Sequence, residues 1–167
     1  MHTVEVRRLA SFWLGWRYAM PAEAQEVPYE VDGYPRSLVG TGARRIDCSS
    51  FCAWILMAHY ALPWDREAYE ALQIYDAALP FSNIDLLISR GISPQMRLPE
   101  AHSWHLVQTW EGTAGASPGH SRLAYHDGST TALCLESTES SAASGPQWRR
   151  CEWSDLLSRS AVRIARV

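Results

Sequence analysis

The run Asp47-Cys48-Ser49-Ser50-Phe51-Cys52-Ala53-Trp54-Ile55-Leu56, continuing through Ala61-Leu62 to Pro63, most constrains what this chain can fold into. A polar residue suited to cap a helix opens it, and a proline closes it. Cys48, Phe51, Cys52, Ile55 and His59 fall on one helical face, while Ala53, Trp54, Met57 and Tyr60 make the other face apolar too. A helix apolar all round must be buried. The fold is therefore expected to wrap this helix on every side. With Asp47 as the cap, Cys48 becomes the first helical residue. A thiol there lies at the positive end of the helix dipole, where the thiolate is favoured. Read alone, Cys48 is a small buried hydrophobe. Its position at a helix start makes it a candidate nucleophile.

The chain is 167 residues, one domain's worth, and its eight Trp and high apolar content exclude disorder. A net charge of -3 gives no footprint for nucleic acid or an anionic membrane. All fifteen basic residues are Arg. The four cysteines, 48, 52, 134 and 151, have no zinc-type spacing. His102 and His105 form a His-x-x-His pair on a loop, which is only a weak metal signal. The N-terminus carries Glu5 and lacks an apolar h-region, and no run reaches transmembrane length. The expectation is a cytoplasmic product with no membrane span, which would need a delivery, phage or secretion partner to act outside.

In chain order, Val4 to Tyr18 is expected to be a helix with Val4, Leu9, Phe12, Trp13 and Trp16 inward. Pro21 to Arg44 reads as a long loop rimming a cleft. After the Cys48 helix, Asp65 to Ala78 and Ile84 to Ser89 read as two further helices. From Ser103 the texture turns to strands: His105 to Trp110, His120 to Tyr125, Thr131 to Glu136, and a last one from Ala161. Gly112 to Gly119 and Ser137 to Gln147 read as loops, and Ser154 to Ser158 as a short helix. Helices first and an antiparallel sheet after give an α+β fold.

Asp127-Gly128 between alternating runs is a hairpin signal. A three-residue loop over Asp127-Gly128-Ser129 pairs His126 with Thr130, and so places His120 opposite Glu136. One sheet face then carries His120, Arg122, Ala124, Ala132, Cys134 and Glu136. The other carries Ser121, Leu123, Tyr125, Thr131, Leu133 and Leu135. An imidazole beside a carboxylate is what a catalytic thiol needs: the ring moves the proton, and the acid fixes its tautomer. For His120 to reach Cys48, the Cys48 helix is expected on the His120 face, with the N-terminal helix covering Leu123 and Leu135.

Asp47-Cys48-Ser49-Ser50-Phe51 resembles the Asp-Cys-Ser-Gly-Phe/Leu signature of the NlpC/P60 family of cysteine peptidases, with Ser50 in place of Gly. Gly15-Trp16-Arg17-Tyr18 resembles that family's Gly-x-x-Tyr element, and Gly119-His120 with Leu123-Ala124-Tyr125 its Gly-His strand, Ser121-Arg122 departing from Val-Gly. Glu136 stands where the family usually has a third polar residue, commonly His. The resemblance implies a papain-like fold over one domain, residues 1 to 167, and hydrolysis of amide bonds in peptidoglycan stem peptides. Cys48 would be the nucleophile, His120 the acid/base and Glu136 the orienting group. Tyr18, Asp47, Ser49 and Ser50 would line the substrate site. No metal or organic cofactor is implied. Two other uses fit the same residues. One is acyl transfer or deamidation. The other is a non-catalytic phage or secretion-system module, to which Ser50 and Arg122 point. A third reading is a redox or metal protein built on Cys48, Cys52 and Cys134.

Overall fold

A computed structural model describes residues 1–18, 28–31, 34–37, 46, 48–61, 95–96, 98–110, 120–139, 144–159 and 161–167. Among these, helix α1 is Thr3–Ser11, α2 is Cys48–His59 and α3 is Trp153–Leu157. Strands β1 (Pro28–Val31) and β2 (Tyr34–Ser37) pair antiparallel as a separate two-stranded sheet, inside the stretch expected to be all loop. The main sheet is antiparallel throughout. It runs β3 (Gln95–Met96), β8 (Ala161–Arg166), β4 (Ser103–Trp110), β5 (His120–His126), β6 (Thr131–Glu139), β7 (Ser144–Glu152). Helices and antiparallel sheet together make the fold α+β. The expected helices over 65–78 and 84–89, and the loop over 112–119, lie outside the described residues.

One face of the sheet meets α2 and α1. Phe51, Trp54, Ile55 and Leu56 of α2, Val6 and Leu9 of α1, and Trp13 just beyond it form one buried cluster with Trp104, Leu106, Leu123 and Leu135. Trp13 stacks edge-on against both Trp16 and Trp54, at 4.4 and 4.8 Å between ring centroids. Such offset pairs add to what burial alone contributes. The opposite face is shallower. Ala124, Ala132 and Cys134 are covered by Trp153 and Leu156 of α3, together with Val107 and Ile164. Small side chains on that face let a five-residue helix fill the gap with a single indole.

This arrangement overturns the expected placement of the Cys48 helix. It packs on the Leu123/Leu135 face and shares it with α1, while α3 takes the Ala124/Ala132 face. An all-round apolar helix needs the deeper apolar face, and α1 then seals its outer side.

Three boundaries also differ from expectation. α1 ends at Ser11, and the chain turns through Gly15, whose φ of +89° suits glycine. The departure lets Arg17 O accept the Ile46 N–H at 2.9 Å, which lays the Trp16–Tyr18 segment beside the entry to α2. Second, Ser144 to Gln147 belongs to β7 rather than to a surface loop. Its polar composition hid a strand whose Gly145, at φ +100°, has no room for a Cβ against the Trp16 carbonyl. β6 likewise runs on to Glu139, and Ser137 is buried and donates to Ile46 O at 2.7 Å. Third, the β5–β6 hairpin is two residues longer than a three-residue loop. His126 pairs with Ala132, not Thr130. Asp127 holds the turn by accepting from both the Ser129 N–H and its hydroxyl, at 3.0 and 2.6 Å, with Gly128 at φ +97°.

Candidate active site

A two-residue shift in register preserves parity. The pairing Ala124–Cys134 and Leu123–Leu135, carried one step further, sets Arg122 opposite Glu136 and makes His120 its diagonal neighbour. His120, Arg122 and Glu136 therefore still share a face, although the expected direct opposition of His120 and Glu136 is corrected to a diagonal one. Diagonal separation is within reach of long side chains. His120 Nε2 lies 2.7 Å from Glu136 Oε2. Arg122 Nε is 3.3 Å from the same oxygen, without a well-directed hydrogen bond, and Arg149 Nη1 donates to Oε1 at 3.2 Å. The Glu136 side chain is 1% exposed, so its charge is balanced by these neighbours rather than by water.

His120 also meets Cys48. The thiol is the first residue of α2, the imidazole the first of β5, and the two are hydrogen-bonded. Although the body of α2 lies on the other face, both residues stand at the ends of their elements. The contact is made there.

The electrostatics follow from these partners. Burial works against a charged His120, but the electrostatic interaction with Cys48, its hydrogen bond and the Glu136 hydrogen bond outweigh burial. The His120 pKa is raised to about 9, against an opposing push from Arg122. Burial likewise works against the Glu136 carboxylate, yet the His120 hydrogen bond and the Arg122, His120 and Arg149 charges lower its pKa to about 2. An ionised carboxylate can only accept, so Nε2 carries the proton that binds Glu136. Nδ1 is the nitrogen left to face the thiol.

The structure thus brings together Cys48, His120 and Glu136. Tyr18 lies close in the backbone: its N–H donates to Ser144 Oγ at 3.1 Å, one residue from the Arg17–Ile46 bond. Asp47 lies outside the described residues, as do the side chains of Ser49 and Ser50 within the first turn of α2. Cys52 is buried in the α2 core. Cys134 and Cys151 are hydrogen-bonded to each other on the sheet face that carries Glu136 and α3, away from the body of α2. His105 is buried, and its Nε2 accepts the Glu100 N–H at 3.0 Å, whereas His102 is exposed. Among the described residues, no group of three or more His, Cys, Asp or Glu is arranged to hold a metal ion. None of the described helices is long and apolar enough to cross a membrane.

Sequence reasoning missed Arg149, because it expected no strand there: Ser137 to Gln147 read as a loop, whereas β7 runs over Ser144–Glu152. It noted Arg122 only as a departure from a glycine. The signal that could have found both is charge: an acid on a buried sheet face requires a cation on a neighbouring strand. Set against known proteins, the chain matches no family model, no curated protein and no solved structure.

Proposed function

We propose that this protein is a papain-like cysteine hydrolase acting through Cys48, His120 and Glu136. The observation that carries the reading is the position of the His120 ring, which bonds Glu136 on one side and Cys48 on the other. His120 Nδ1 takes the thiol proton, and the thiolate attacks an amide carbonyl carbon. The carbonyl oxygen becomes an oxyanion, for which the Cys48 N–H at the positive end of the α2 dipole is the donor. The imidazolium returns its proton to the departing amine, leaving a thioester on Cys48. Water, deprotonated by His120, then attacks the thioester and releases the acid with the free thiol. Glu136 holds the tautomer and stabilises the imidazolium. Substrate class rests on the resemblance of Asp47–Phe51 and Gly119-His120 to the NlpC/P60 peptidases, which points to amide bonds in peptidoglycan stem peptides. Digestion of peptidoglycan, with mass spectrometry of the fragments, tests it. New amine termini with the wild type and none with Cys48→Ala are expected, and no fragments from the wild type would reject this substrate.

A second reading, a non-catalytic module keeping the same fold, is favoured by one observation: Cys48 is only 1% exposed. The two readings separate on alkylation. A working dyad gives a Cys48 labelling rate that collapses in His120→Ala. A merely buried thiol labels slowly in both.

A further inference from the structure

On the face of the sheet that carries α3 lies a cavity of about 320 Å³. Arg122 of β5, Arg149 and Arg150 of β7, and Arg159 beyond α3 line it. Two acids also line it, Glu152 and Asp155, and both are solvent-exposed. Cys151, half-buried, stands in the same wall. The four guanidiniums line one open volume, and each carries a fork of donors shaped for an oxyanion. Glu136 offsets part of the charge of Arg122 and Arg149 from inside the sheet. Among the described residues, Arg150 makes a 3.9 Å approach to Asp127 and a 3.4 Å bond to Thr131. The Arg122 side chain is 11% exposed, so its charge is felt in the cavity with little screening by water.

We propose that this cavity binds a small phosphate-class oxyanion, free or carried on a small ester, and that its occupancy is felt at His120 through Arg122, Arg149 and Glu136. The link is a chain of adjacent charges. Arg122 and Arg149 line the cavity and also pair with Glu136, which bonds His120. Arg122 opposes the imidazolium charge of His120. An anion among the guanidiniums offsets that opposition, so His120 holds its proton to higher pH. Among the described residues, Cys48 from α2, Cys134 from β6 and Cys151 from β7 also face this pair.

Cys151 provides a reporter that does not depend on the proposed hydrolase. In a Cys48→Ser chain, Cys151 is alkylated with iodoacetamide at constant pH, with inorganic phosphate replacing chloride at fixed ionic strength. Peptide mapping reads the rate. Saturable slowing of Cys151 labelling is expected, and half-protection should need roughly tenfold more phosphate in Arg150→Gln and in Arg159→Gln, about one charge-assisted hydrogen bond. Both side chains are solvent-exposed, so neither change threatens the fold. Glycerol 3-phosphate in the same assay separates a free ion from an ester: protection at lower concentration than phosphate assigns the ester. A labelling rate indifferent to both ligands, or equal protection in the two variants, overturns the site. The link to His120 is read separately by NMR titration of its ring in the wild-type chain. The midpoint should rise with phosphate, and a midpoint that stays put while Cys151 is protected overturns the link alone. Failure of peptidoglycan cleavage leaves both readouts intact.

Discussion

The two faces of the main sheet are built on different physics. The face under α1 and α2 is held by apolar burial: Trp13, Trp54, Phe51, Leu123 and Leu135 are all at most 1% exposed. The face toward α3 begins apolar at Ala124 and Ala132, and turns ionic at Arg122, Glu136 and Arg149. Apolar packing is non-directional and tolerates volume-conserving change. A buried carboxylate does not, because removing a partner strands a charge. The first face should therefore carry stability and the second chemistry, with Cys48 and His120 meeting where elements from the two faces end.

The largest expected effect falls on chemistry. His120→Ala should lower hydrolysis by about 10²–10⁴-fold or more, the usual worth of a positioned acid/base. Cys48→Ala should do the same, and the double variant should be no worse, because members of one catalytic unit are not additive. Cys48→Ala should unfold near the wild-type denaturant midpoint, whereas His120→Ala, which takes a partner from the buried Glu136, should unfold at lower denaturant. A His120→Ala chain with wild-type turnover would break the division of labour at its centre.

The complementary test strikes the apolar face. Trp54→Ala removes a side chain packed against Phe12 and Trp13. It should cost about 3–5 kcal/mol in urea unfolding, the usual range for truncating a large core aromatic. The hydrogen bond between His120 and Glu136 should survive in the folded fraction, visible as an unchanged His120 ring titration. Loss of that titration at full occupancy of the fold would show the two faces to be coupled.

How far this division was legible beforehand depended on the type of signal. The all-round apolar run at 48–59 announces a buried helix because hydrophobicity is a one-dimensional pattern. Alternation in 120–126 and 131–136 announces strands for the same reason. Sheet parity was legible too, because a two-residue error in the hairpin leaves every side chain on its own face. The placement of α2 was not legible. It depends on which face is deep enough to receive a thick helix, and that is set by Trp104 and Leu106 from a strand far from it in sequence. Ser144 to Gln147 hid because serine and glycine are read as loop formers, yet β7 needs glycine at 145, where a Cβ would strike the Trp16 carbonyl. With that strand went Arg149, and with Arg149 the ionic partner of Glu136.

A smaller effect concerns acid stability. The Glu136 pKa is about 2 in the fold against 4.5 ordinarily. A depressed carboxyl contributes stability that is fully present above about 4.5 and is lost as pH falls through about 2. At about 1.4 kcal/mol per unit, roughly 2–3 kcal/mol should disappear across that window. Urea unfolding at pH 5 and at pH 2.5 should show a steeper loss for the wild type than for Glu136→Gln, whose amide does not titrate. Parallel loss in both chains would place the acid sensitivity elsewhere in the molecule.

The finest test asks whether the ionic face tunes the dyad or only supports it. His120 is raised to about 9, so the imidazolium that gives a proton to the leaving amine persists through neutral pH and is lost above. Turnover should therefore fall as pH rises through about 9. The causes act in opposite senses. The Glu136 hydrogen bond raises the value, whereas the Arg122 charge lowers it. Glu136→Gln removes a charge-assisted bond and should move the alkaline limb to lower pH, with part of the activity kept because an amide oxygen still accepts from Nε2. Arg122→Gln removes the opposing charge and should move the limb the other way. A role confined to holding the fold would lower activity at every pH and leave the limb where it was. Limbs that move in opposite directions in the two variants require Glu136 and Arg122 to act on the same proton.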